Sequence, residues 1–113
     1  MEAVTENDTF DMGKATVIQL TQHTKIYLED LFHAELQLIH PIPIFIETEG
    51  DTVIANYPPT VSYGCGEAKS EALDDLRLEL VDLYNDLLKN SDHLGPLPQK
   101  WWNHLQTIIQ RRA

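Results

Sequence analysis

Between Ser70 and Leu87, apolar residues recur at steps of three and four: Leu73, Leu76, Leu80, Leu83 and Leu87, with Ala72 and Tyr84 beside them. Side chains at these steps share one side of an α-helix. The run therefore predicts one long helix with a single apolar stripe, which has to be covered by a sheet or another helix. Glu67 or Ala68 is expected to open it, with Ser70 as an alternative N-cap and Glu67 and Glu71 suited to the positive end of the helix dipole. On the opposite side, Asp75, Glu79, Asp82 and Asp86 align at the same steps. Like charges so placed repel by about 0.2–0.5 kcal/mol per pair. A helix selected for stability alone would interleave lysines there, so these four acids are candidate partner-binding residues. Leu78 is stranded among polar positions and is the candidate apolar anchor between them. The plain alternative is a solvated acidic face.

What the stripe lies on is written upstream. From Glu35 the pattern changes to a period of two: Leu36, Leu38, Ile42, Ile44 and Ile46 share one parity, and Glu35, Gln37, Pro41, Pro43, Glu47 and Glu49 the other. This alternation predicts a strand with one buried face. Pro41 and Pro43 cannot donate to a ladder, which points to an edge strand or a bulge. Glu49-Gly50-Asp51 reads as a hairpin turn, Thr52 to Tyr57 as a second strand ended by Pro58-Pro59, and "TVSYGC" as a short third strand.

The rest of the chain is less regular. Residues 1–14 are polar and read as a flexible leader. Ala15 to Leu20 suits a short strand. "TQHTKIYLEDLF" places Leu28, Leu31 and Phe32 at helical spacing with Thr24 as a possible N-cap, although its β-branched residues compete. Gly95 suits a C-cap or turn, Pro96 a stop, and Pro98 the first turn of a last helix bearing Trp101, Trp102, Leu105, Ile108 and Ile109. One tryptophan ring is expected in the core and the other over a seam. Together these elements predict one α+β domain over residues 15–113: an antiparallel sheet of three or more strands, packed by one long helix, plus a C-terminal helix.

Chemistry is sparse. The 113 residues carry 18 acids against 8 Lys and Arg, a formal charge of -10. That balance repels phosphate backbones and anionic membranes and suits a basic partner. A single cysteine, Cys65, allows no internal disulfide and suits a reducing compartment. The first residues lack the order of a signal peptide, and no apolar run is long enough for a membrane span, so a cytoplasmic protein is expected.

Gly64 and Gly66 bracket Cys65 before the helix, as in an anion cradle. The Lys-Ser/Thr of a phosphate loop and the third glycine of a dinucleotide fingerprint are both missing. The simpler reading is that the glycines let a strand turn sharply into the helix. Cys65 reads as a small buried residue at a strand end rather than a nucleophile. His23, His33, His40, His93 and His104 show no paired ligand spacing, and the acids fall in helix stripes rather than at strand ends, where two-metal nuclease chemistry would gather them. No cofactor, no metal and no catalytic residue is expected.

The span "IPIFIETEGDTVIANYPPTVSYGCGEAKSEALDDL" resembles the HicB-like antitoxin family. The matching pieces are "IFIE" (Ile44 to Glu47), "TVIANYPP" (Thr52 to Pro59), Gly66-Glu67 and "SEALDDL" (Ser70 to Leu76). The likeness covers about the middle third of the chain. It implies a partial ribonuclease-H-like fold without catalytic acids, and a non-catalytic antitoxin that binds and neutralises a small, basic, RNA-cleaving toxin, often as a homo-oligomer. Two departures stand out. Ala68 replaces the helix-opening Thr of the family pattern. The stretch after Leu94 has room for one helix, which puts the DNA-binding module of many relatives in doubt. The alternative is a homo-oligomeric structural or interaction protein without a toxin partner.

Overall fold

The structure, a computed structural model, describes residues 24–113; the expected leader, the expected strand from Ala15 to Leu20 and His23 lie outside the described residues. The elements run β1 (Thr24–Leu28), β2 (Leu36–Leu38), β3 (Ile42–Glu49), β4 (Thr52–Tyr57), a 3-10 turn (Pro58–Thr60), β5 (Ser62–Gly66), α1 (Lys69–Lys89), α2 (Pro96–Ile108) and β6 (Ile109–Arg111). The fold is α+β. A four-stranded antiparallel sheet in the order β1-β3-β4-β5 is packed on one face by α1, and β2 and β6 form a separate two-stranded sheet.

The period of two in β3 does what such a period requires. Ile42, Ile44 and Ile46 point into the core with Leu28 of β1 and Ala55 and Tyr57 of β4. Against them lie Ala72, Leu76, Leu80, Tyr84 and Leu87 of α1. Gly50 makes the β3-β4 hairpin with φ 62, the left-handed backbone that glycine adopts without strain. Trp102 of α2 is the expected core ring, buried 5.1 Å from the ring of Tyr84, and Trp101 is partly buried against the core.

Several expectations give way. The Thr24 segment is a strand, not a helix. Thr24, Ile26 and Tyr27 favour extended backbone, and Thr24 to Leu28 pair with Ile46 to Ile42 of β3. The alternating run from Glu35 is not one strand either. It breaks at residues 39–41, so that β2 pairs with the C-terminal β6 while β3 enters the main sheet. That pairing also ends the last helix at Ile108 and draws Ile109 to Arg111 into a strand. β3 is an interior strand, yet its pairing with β4 starts only at Phe45, so at the level of Pro43 it has a neighbour on one side alone. The proline therefore sits at a local edge. Pro96 opens α2 instead of merely stopping α1, with Gly95 at the N-cap. Helix α1 ends at Asn90, whose side chain donates to the carbonyl of Asp86.

The glycines before α1 have a different purpose from turning the chain. Neither has a positive φ; both lie in β5. A Cβ on Gly64 would overlap the backbone nitrogen of Leu76 and lie 2.5 Å from the carbonyl oxygen of Ala72, and one on Gly66 would lie 2.5 Å from the Cβ of Glu71. They let α1 rest directly on the strand.

Candidate functional site

Helix α1 starts from Ala68, which offers no side-chain cap. Glu71 reaches back instead, its Oε1 accepting the Glu67 N–H at 2.9 Å. One turn on, Asp75 Oδ2 accepts the Cys65 N–H of β5 at 3.0 Å. β5 is an edge strand, so Asp75 satisfies a donor that would otherwise face solvent or another chain. Of the four aligned acids, Asp75 is thus tied to the fold. Glu79, Asp82 and Asp86 are exposed, and among the described residues none has a hydrogen-bond or ion-pair partner through its carboxylate. Leu78 is 64% exposed on the same outer side of the helix. The structure therefore keeps Leu78 and three of the acids on an open surface and assigns Asp75 a structural bond.

A second apolar group stands beside Leu78, at a place that helical spacing does not announce. The loop over residues 29–35 crosses the flank of α1 and presents Phe32, 71% exposed with φ 51. Asp30 Oδ1 accepts the Phe32 N–H at 2.7 Å. The Arg77 guanidinium lies 4.1 Å from the Phe32 ring centroid, its Nε donating to the Asp30 carbonyl at 2.9 Å and its Nη1 to Asp74 Oδ1 at 2.7 Å. Phe32, Arg77, Leu78 and Val81 border a groove of about 250 Å³. An Asp two residues before a left-handed position is the available local signal, an Asx-type turn.

A second open surface is the face of the sheet away from α1. There the other parity of each strand is displayed: Lys25 and Tyr27, Phe45 and Glu47, Ile54 and Asn56, Tyr63 and Cys65. Phe45, Pro58, Val61 and Tyr63 line a mainly apolar groove of about 520 Å³, with Asn56 and Glu47 joined by a 3.4 Å hydrogen bond at its side. Val61 is 71% exposed and, like Phe32, has left-handed backbone, φ 55. Cys65 is exposed on this face, not buried at a strand end as expected, because Gly64 takes the inward parity.

Three of the described histidines are engaged, each separately. His33 Nδ1 accepts the N–H groups of Glu35 and Leu36, His40 Nδ1 donates to the Pro41 carbonyl, and His104 Nε2 shares a 2.6 Å hydrogen bond with the buried Tyr57 hydroxyl. Burial pushes the Tyr57 phenol up to about 12 and holds the His104 imidazole below its ordinary range. This pair ties α2 to the end of β4. Among the described residues no group of three or more His, Cys, Asp or Glu is placed to hold a metal ion, and no helix is long and apolar enough to cross a membrane. The chain matches no family model, no curated protein and no solved structure.

Proposed function

We propose that the protein is a non-catalytic binding protein of the HicB-like antitoxin kind, which uses the outer side of α1 to hold a small basic protein, an RNA-cleaving toxin. The observation that carries this reading is the set of exposed carboxylates of Glu79, Asp82 and Asp86, without partners among the described residues, while Asp74 and Asp75 are used by the fold. Three like charges one turn apart cost helix stability. They also produce a negative field that steers a cationic partner and fixes its orientation. Motif likeness in β3, β4, β5 and the start of α1 supplies the toxin as partner class.

The test is co-expression of the tagged chain with the small reading frame next to its own, followed by titration of the purified pair at low and high salt. A stoichiometric basic partner, bound more slowly as salt rises and lost on joint substitution Glu79→Lys, Asp82→Lys and Asp86→Lys, is the expected result. Binding that ignores all three reversals would sink this reading.

A second reading, self-association without a toxin, has its own observation: Tyr27, Val61 and Tyr63 stand exposed on the sheet face away from α1, where Val61 and Tyr63 line an apolar groove. Contiguous apolar surface of this kind marks interaction sites. Sedimentation velocity of the wild type and of Val61→Glu/Tyr63→Glu decides it, since the wild type should sediment as an oligomer and the variant as a monomer.

A further inference from the structure

We propose that the groove between the 29–35 loop and α1 is an anchor pocket that receives one large apolar side chain of a basic protein partner, with Lys or Arg flanking that side chain. This deepens the partner-binding reading above and rests on it; what is new is the pocket, its wall Phe32 and the chemistry of the inserted group.

Three observations converge there. The first is how the apolar surface is displayed. Leu76, Leu80 and Leu87 of α1 are buried, whereas Leu78 is 64% exposed in the middle of the outer side. Phe32 is also turned outward, on a backbone that bulky side chains rarely adopt. An unfavourable conformation persists only where the surroundings enforce it, and such residues collect at ligand clamps.

The second observation is bracing. Asp30 holds the Phe32 N–H, Arg77 stacks on the ring, and Arg77 is itself fixed by the Asp30 carbonyl and by Asp74. The wall is preformed, so an entering group has few side chains left to order. A volume of about 250 Å³ suits a single large side chain rather than a helix or a strand.

The third observation is charge. On α1 the neighbours of Leu78 three and four residues away are Asp74, Asp75, Val81 and Asp82. An apolar centre is thus fenced by carboxylates, and Arg77, the cation on the groove, is already committed to Asp74 and to the Phe32 ring. An apolar anchor within a polar rim is the layout of an energetic centre in protein interfaces. The acidic rim favours a cationic protein and disfavours acidic peptides and nucleic acid.

The experiment uses the full chain as bait for a display library of random peptides. The expected winners join one large apolar residue to Lys or Arg within a few positions. Their affinity, measured by fluorescence anisotropy, should fall about tenfold or more on Leu78→Ser and again on Phe32→Gly, as for residues at a contact centre. Phe32→Gly is chosen because glycine relieves the left-handed backbone, so its thermal midpoint is expected to stay at or above the wild type; Leu78→Ser, on an exposed helix position, should lower it by only a few degrees, so weakened binding cannot be blamed on unfolding. Peptides that bind Leu78→Ser and Phe32→Gly as tightly as wild type overturn the pocket. If those same peptides are lost on Glu79→Lys/Asp82→Lys/Asp86→Lys, the acidic docking face survives without it. If neither set of changes matters, or the selection yields no basic peptides, both ideas fall.

Discussion

Gly64 shows how much a single absent side chain can specify. Helix α1 lies so close to β5 that a methyl group at this position would overlap the helix backbone at Leu76, and backbone cannot rotate away as a side chain can. Gly64→Ala is therefore expected to lower stability by about 3 kcal/mol, at the upper end of overpacking costs. In thermal denaturation that is a drop on the order of 10 °C or more for a domain of this size. The Tyr57–His104 pair makes a complementary case, in which burial acts through protonation. His104 is held below its ordinary value, so the unfolded chain takes up a proton that the folded chain resists. Its contribution is complete above the unfolded imidazole value of about 6.5 and is lost as pH falls below that value toward the depressed folded one. Tyr57 works at the other end. Its phenol is raised to about 12, so stability is retained below the unfolded value of about 10 and lost as pH climbs from there. Thermal midpoints measured across pH should show both declines, and His104→Asn should flatten the acid one.

At the scale of elements, α1 separates stability from function along its own length. Asp75 secures the edge strand, whereas Asp82 stands free among the described residues about two turns further on. Asp75→Ala should destabilise by about 1 kcal/mol, the net value of a hydrogen bond whose orphaned donor can reach water. Asp82→Lys places a cation three residues after Glu79 and four before Asp86, and should leave the thermal midpoint unchanged or raise it slightly. Sequence patterns made the two acids look equivalent, because helical spacing reports which side a residue is on and not what lies across from it. The same limit explains the rest. The β3-β4 hairpin, β5 and α1 were legible because their signals are local: alternation around Gly50, then three- and four-residue steps. β1 was not, since five residues ending in Leu28, with Leu31 and Phe32 behind them, fit either period until β3 offers a ladder to pair with. The union of β2 with β6 joins residues at opposite ends of the described chain and leaves no periodic trace. The outward half of the candidate site, Leu78 with the free acids, could be read from helical spacing; Phe32 and the groove beside it depend on a loop conformation that no spacing announces.

At the scale of the molecule, the two left-handed non-glycine residues among the described residues are also the two most exposed large apolar side chains there, and they lie on opposite sides of the sheet-and-helix layer. Phe32 borders the groove beside α1, and Val61 borders the groove on the sheet face away from α1. A fold optimised for stability would place glycine or asparagine at such backbones. Both positions instead spend conformational energy on displaying a hydrophobic group. A direct consequence is that Val61→Gly should stabilise the monomer by about 0.5–1 kcal/mol, since glycine adopts this backbone freely and little buried contact is lost. If the sheet face mediates self-association, the same substitution weakens the oligomer in sedimentation while raising the thermal midpoint measured at low protein concentration. Because the core separates the two grooves, the effects of Val61→Gly and Leu78→Ser should add without coupling. Basic-peptide affinity would follow Leu78 alone and sedimentation would follow Val61 alone. Val61→Gly that lowers the thermal midpoint would mean that the valine is placed for packing rather than display.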